Sequence, residues 1–159
     1  MIAIIRTHEK GRSQLLCELD IMQFTENRIR ERMQERGIRD DTFFVCGFSD
    51  WGIDRSISLS DCFLLKKCIN ELYDGNDYIV RFLLRKGESV FKIVSQYYQF
   101  SSSDEKVVMS EILINRDLSF IINYWCESIT WVNAVKRFED DGLLLRTEKG
   151  FFIRKLEGG

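Results

Sequence analysis

Apolar residues crowd the first stretch of the chain, and their spacing changes soon after it. Residues 1–6 and 14–22 read as strands, and Glu9-Lys10-Gly11 between them predicts a hairpin. Ile29 and Met33 then fall one helical turn apart, which predicts a helix from a Thr25 cap to Gly37. Residues 42–46, Thr-Phe-Phe-Val-Cys, form a short buried strand, followed by a polar turn at Ser49-Asp50-Trp51-Gly52. Ser60 or Asp61 caps the next helix, which runs to Tyr73 with Leu64, Leu65, Cys68, Ile69 and Leu72 as its apolar stripe. Asp74-Gly75-Asn76 ends it and starts a helix over 78–86, which Gly87 breaks. A short helical stretch over 88–96 follows, carrying Val90, Phe91 and Val94, and then an extended segment over 97–100.

Ser101-Ser102-Ser103-Asp104 is the most linker-like segment and also a helix start. Helices are predicted over 104–114, 118–126 and 129–141, the last ended by Gly142, with a closing hairpin of 143–146 and 150–156. Strand-rich ends flanking a helical middle predict an α+β fold of two to three small modules. Their expected bounds are 1–57 for an N-terminal α+β module, 58–102 for a helical middle and 103–159 for a C-terminal module of helices plus hairpin. No run approaches the roughly 18 apolar residues of a membrane span, and the start of the chain has neither the length nor the basic opening of a signal peptide.

Composition sharpens this in two ways. Hydrophobic residues make up 45% and aromatics 13%, enough to bury a core. The 23 basic and 25 acidic side chains nearly cancel, so an electrostatic function needs local segregation of charge. Five cysteines, none in a C-x-x-C pair, read as free thiols of a reducing cytoplasm.

Candidate chemistry is sparse. The single histidine, His8, sits in a charged turn, and no phosphate-binding glycine loop or nucleophile elbow is present. The acidic pairs Asp40-Asp41 and Asp140-Asp141 fall at helix ends or turns. The expectation is a protein with no catalytic residues, no metal and no cofactor, acting by binding another macromolecule.

Two segments can carry binding. Residues 40–77 hold eight acidic side chains against three basic ones, and Asp40, Asp41, Asp50, Asp54 and Asp61 are its outward-pointing candidates. Residues 118–156, helix then helix then hairpin, imitate a winged helix. In that reading Lys136, Arg137, Arg146, Lys149, Arg154 and Lys155 contact phosphates. The neighbouring Glu139-Asp140-Asp141 oppose that role. Phe120, Ile121, Ile122, Tyr124, Trp125 and Trp131 are more apolar bulk than one small module can bury, which predicts a homodimer interface centred on Phe120, Tyr124, Trp125 and Trp131.

Ile129-Thr130-Trp131, Ala134, Asp141-Gly142-Leu143-Leu144 and Thr147-x-x-Gly150-Phe151-Phe152-Ile153 resemble the C-terminal end of ArdA antirestriction proteins. The family's Gly-Arg-Asp-Leu piece is missing, with Val135-Lys136-Arg137-Phe138 nearby. Upstream, the stretch 41–51 and the helix after it resemble the family's acidic–aromatic turn and following helix, Ser49-Asp50-Trp51 standing for Asp-Tyr-Glu. Residues 86–100 resemble its glycine-containing helix and tyrosine-rich segment. The resemblance covers most of the chain in order. It implies an elongated, dimeric, mobile-element protein that binds a type I restriction–modification enzyme by imitating DNA. The near-neutral charge departs from that pattern, so another defence enzyme, such as a CRISPR nuclease, is an equally open target. A DNA-binding regulator using the C-terminal helices is the alternative of a different class.

Overall fold

The period-two pattern at the start of the chain does form a sheet. The computed structural model describes residues 1–9 and 12–155. In it β1 (Ile2–Glu9) pairs antiparallel with both β2 (Arg12–Asp20) and β3 (Phe43–Phe48). A further strand, β4 (Ile53–Ile57), pairs with β3 and completes the order β2-β1-β3-β4. Ala3, Ile5 and Thr7 are buried while Ile2, Ile4 and Arg6 are half-buried, because successive side chains leave a strand on opposite faces. Lys10 and Gly11 of the expected turn lie outside the described residues, but Glu9 pairs with Arg12 across it. The sequence reading had no strand at β4. Ile53 and Ile57 are buried there, and the polar Asp54-Arg55-Ser56 between them reads as loop when taken alone.

Helices α1 (Glu26–Glu35), α2 (Leu59–Leu72), α3 (Tyr78–Arg85) and α4 (Val90–Val94) follow the expected sites closely. Thr25 accepts the Arg28 amide at the head of α1, satisfying an otherwise orphan donor. The α2 cap is Ser58, not Ser60 or Asp61: its hydroxyl accepts the Asp61 amide at 3.0 Å. The buried face of α2 is Leu59, Cys62, Leu65, Cys68 and Ile69, and Leu64 and Leu72 turn to solvent. Cys68 is buried as expected, and Leu59 and Cys62 join it in place of Leu64 and Leu72, the thiol packing as a small buried hydrophobe. Burial, reinforced by Asp61, pushes the Cys62 thiol up to about 12, and burial pushes Cys68 up to about 11. Helix α2 packs against α1, α3 and α4.

The C-terminal part begins at β5 (Tyr97–Ser102) and continues through α5 (Glu105–Leu113), α6 (Leu118–Ser128) and α7 (Trp131–Asp140) to the hairpin β6 (Leu144–Thr147) and β7 (Gly150–Lys155). Its antiparallel sheet has the order β5-β7-β6. Val108, Met109, Tyr124, Ala134, Val135, Phe138, Leu144 and Ile153 share one core. The structure is therefore α+β, with two antiparallel sheets and seven α-helices among the described residues. Leu156 of the expected hairpin lies outside those residues.

Two compact units, Met1–Ser95 and Gln96–Gly159, fall within the expected two to three, but not at the expected bounds. The boundary at 57 falls between β4 and α2, inside the first unit, because α2 is the central helix of that unit's layer. The boundary at 102 fails because β5 pairs with β7, so Ser101 and Ser102 are strand residues of the second unit and no linker. Asp104 alone keeps its expected part, capping α5 through the Lys106 amide. No described helix is long and apolar enough to cross a membrane.

Gly47 is the tightest point of the first sheet. Its φ is 150°, and a Cβ there would overlap the Ile53 carbonyl oxygen across β3 and β4. Gly47→Ala is expected to lower unfolding stability by about 3 kcal/mol. A urea midpoint equal to that of the parent would show that the two strands separate at this point.

Candidate partner-binding surface

The acidic candidates do not form one row. Asp50 follows β3, and its exposed carboxylate is bonded to the start of β1, accepting the Ile2 amide at 2.8 Å and lying 3.1 Å from the Met1 amino group. Asp40 lies 3.0 Å from Arg30, which also holds Glu26. Burial raises the Glu26 carboxyl, but hydrogen bonds from Arg30 and Ser60 outweigh it and hold that group below its ordinary range. Asp41 pairs with Arg39 on the surface at 3.3 Å. Asp54 on β4 and Asp61 in the first turn of α2 make no ion pair among the described residues. Three of the five carboxylates are thus already matched to cations of the same unit.

Trp51, expected in an exposed acidic–aromatic turn, is 1% exposed. Its indole N–H donates to Asp77 at 3.0 Å, and its carbonyl accepts from the Arg85 guanidinium at 2.9 Å. Asp50 and Trp51 both build the fold.

The aromatic candidates divide in the same way. Tyr124 is buried, stacks on Phe138 at 4.7 Å and donates its hydroxyl to the Ala134 carbonyl, so it belongs to the core and not to a surface. Phe120 packs partly buried against Tyr124. Trp125 and Trp131 stack with ring centres 5.3 Å apart, and the Trp131 indole N–H donates to Glu105. Of the apolar residues expected at the dimer interface Ile122 is the most exposed, and Leu118, Ile129 and Val132 were not among them. Leu118, Ile122 and Ile129 are 70%, 52% and 85% exposed, and Val132 is exposed beside them. Positions 118, 122 and 125 are spaced four and three apart and follow one side of α6, and Ile129 lies just past its end with a φ of 66°. That spacing was readable in the sequence. It was hidden because the adjacent Phe120, Ile121 and Tyr124 belong to other faces.

Three of the six basic candidates are held in ion pairs. Arg137 reaches the Tyr124 carbonyl, the Ser128 hydroxyl and Glu127, and lies over the Tyr124 ring. Arg146 bridges Glu105 and Glu139 at 2.8 and 2.7 Å. Lys155 lies 3.3 Å from Glu111. Arg154 is half-buried, with its Nε enclosed and unbonded. Lys136 and Lys149 are exposed. A phosphate contact by Arg137, Arg146 or Lys155 requires breaking a bond the fold already uses.

His8 is exposed and stacks on Phe44 at 4.6 Å. Among the described residues no cluster of His, Cys, Asp and Glu is arranged to hold a metal. No family model, curated protein or solved structure matches this chain.

These placements separate structural from free carboxylates. Asp50→Ala is expected to cost about 1 kcal/mol, because the Ile2 amide loses its acceptor. Asp54→Ala is expected to stay within about 0.5 kcal/mol of the parent. Equal urea midpoints for the two variants would contradict the structural role of Asp50.

Burial, opposed by Arg137 and aided by Asp141, raises the Tyr124 phenol to about 12. Its neutral form is therefore favoured in the folded state. That contribution is complete below about pH 10, the ordinary tyrosine value, and is lost as pH rises through about 12. Tyr124→Phe is expected to lose about 1 kcal/mol at neutral pH and to show a shallower decline than the parent across the alkaline window. Parallel curves in a pH series of urea melts would refute this.

Proposed function

We propose that this chain is a non-catalytic binding protein whose second unit self-associates through α6 and α7, and that the pair acts stoichiometrically against a bacterial defence enzyme in the cytoplasm. The observation that carries the association is the exposed row Leu118, Ile122 and Ile129 beside the Trp125–Trp131 stack. Leu118 to Cys126 contain no carboxylate or cation, so two copies of α6 can approach without burying an unpaired charge. Exposed apolar groups of this extent are usual at contact surfaces and uncommon on isolated domains. The resemblance to ArdA proteins supplies the class of target, a type I restriction–modification complex or a CRISPR nuclease, and the mobile-element setting. Since Asp40, Asp41 and Asp50 are internally matched, obstruction by shape and apolar contact is better supported than imitation of the charge of DNA.

A second reading rests on one observation. Helices α6 and α7 precede a hairpin, and that hairpin joins β5 in the order β5-β7-β6, an arrangement like that of a winged helix with α7 as the reading helix. The exposed face of α7 offers Val132, Asn133, Lys136 and Asp140, which is a weak counterpart for phosphates.

Ile122→Asp changes an exposed position and leaves the core intact. The parent is expected to scatter light as a dimer at about 100 μM and Ile122→Asp as a monomer. Inhibition of a purified type I restriction enzyme, run beside a CRISPR nuclease, is expected to weaken about tenfold in the variant. A monomeric parent overturns the association, and a parent that inhibits neither enzyme overturns the target class. Salt-sensitive binding of duplex DNA that Lys136→Glu abolishes would replace both with the winged-helix reading.

A further inference from the structure

Strand β2 is an edge of its sheet, and the helical layer does not close over it. Leu15 is 58% exposed, and Cys17 and Leu19, on the side that faces α1, are only half-buried. Between β2 and α1 a cavity of about 160 Å³ remains, walled by Leu19, Phe24, Ile29 and Met33. An apolar cavity of about 150 Å³ accommodates a benzene ring, so this one has room for a single ring or a short branched chain.

Three arginines stand along its rim. Arg28, Arg32 and Arg36 border the cavity at one-turn intervals, roughly 6 Å apart along the helix. None of them makes an ion pair among the described residues, whereas Arg30 on the same helix holds both Glu26 and Asp40. Like charges one turn apart repel, and the C-terminal end of α1 offsets that repulsion at Arg32 and Arg36. Arginine forks match carboxylate and phosphate oxygens in pairs. Glu31 and Glu35 lie next to the row on an outer groove, which disfavours a long polyanion and leaves room for one or two anionic groups. Glu18 also borders the cavity, but its carboxylate accepts the Ser49 hydroxyl.

We propose that the cleft between β2 and α1 is a binding site for a small amphiphilic anion, an aryl or branched-alkyl phosphate or carboxylate, whose apolar group enters the cavity while Arg28, Arg32 and Arg36 hold its charge. The site lies in the first unit and is independent of the association surface on α6. Cys17 is a reporter within it. Burial raises its thiol and the Arg36 charge pulls it back, which places that sulfur within the electrostatic reach of the rim.

Calorimetric titration of the full chain with phenyl phosphate, benzoate, phenol and inorganic phosphate tests the proposal. Phenyl phosphate or benzoate is expected to bind at least about tenfold tighter than phenol or inorganic phosphate. Arg32→Gln is expected to weaken that binding about tenfold, and Lys106→Gln, an equal loss of charge in the other unit, to leave it unchanged. Met33→Trp is expected to fill the cavity and abolish binding; because that variant alters the core, alkylation of Cys17 in the unaltered chain, read by mass spectrometry, is the second measurement. The bound anion is expected to slow it, with alkylation of Cys126 unaffected. The proposal is overturned if no anion binds tighter than about 10 mM. It is equally overturned if inorganic phosphate matches phenyl phosphate, if Lys106→Gln weakens binding as much as Arg32→Gln, or if Cys17 is not protected.

Discussion

The first unit depends on the burial of one indole. Trp51 sits in the turn between β3 and β4, where sequence pattern calls for solvent, and is instead enclosed beside Phe48. A buried indole needs a partner for its N–H, and Asp77, just before α3, provides it. Arg85, at the other end of α3, takes the Trp51 carbonyl. One residue therefore fixes α3 at both ends against the sheet. From the neighbouring segment Arg55 donates to the Glu88 carbonyl ahead of α4, so β4 is tied to the following helix as well. Gly47 lets β4 approach β3 closely, with the Ile53 carbonyl standing where a Cβ would be.

The second unit solves a different problem. Its sheet has only three strands, and its helices must supply the rest of the core. Tyr124 is the centre of that layer, touching Phe120, Trp125 and Phe138 while its hydroxyl caps the Ala134 carbonyl in α7. Glu105 then gathers Trp131 and Arg146, and Arg146 gathers Glu139, so α5, α7 and β6 share one polar network. With the inner faces committed to Tyr124 and its neighbours, the opposite side of α6 has nothing left to cover it. The exposed row is a consequence of how the core is filled.

Long, strongly patterned elements were legible in the sequence. All of the expected helices occur, and α3 differs from its expected span by one residue at its end, because Gly87 cannot continue it. The misses have local causes. β4 was hidden by a charged centre between two buried isoleucines. The stripe of α2 was displaced because Leu59 and Cys62, in the first turn, were not weighed as core residues, while Leu64 and Leu72 were. The serine run at 101–103 carries a linker composition, yet pairing with β7 is a long-range fact that no window reveals. The candidate site was less legible than the fold for the same reason. Whether Asp50 or Arg137 is free depends on partners distant in sequence, Ile2 for one and Tyr124 for the other. The arginine row on α1 has a readable spacing, but its meaning depends on a cavity that only the packing against β2 creates.

Near-neutral charge takes on a definite sense in this light. Arg30, Arg39, Arg137, Arg146 and Lys155 are each matched by carboxylates of their own unit, so part of the balance in the composition is local pairing. Exposed pairs of this kind contribute little stability individually, but they remove the same side chains from the pool available to an external partner. Recognition must then fall on what pairing leaves over. As proposed above, it falls on the uncharged apolar side of α6 and on the arginine row of α1, whose members make no ion pair among the described residues. The first can exclude water over a broad contact, and the second can select for negative charge beside an apolar group. A protein built this way gains specificity from the few positions that its own fold does not satisfy, not from the total of its charges.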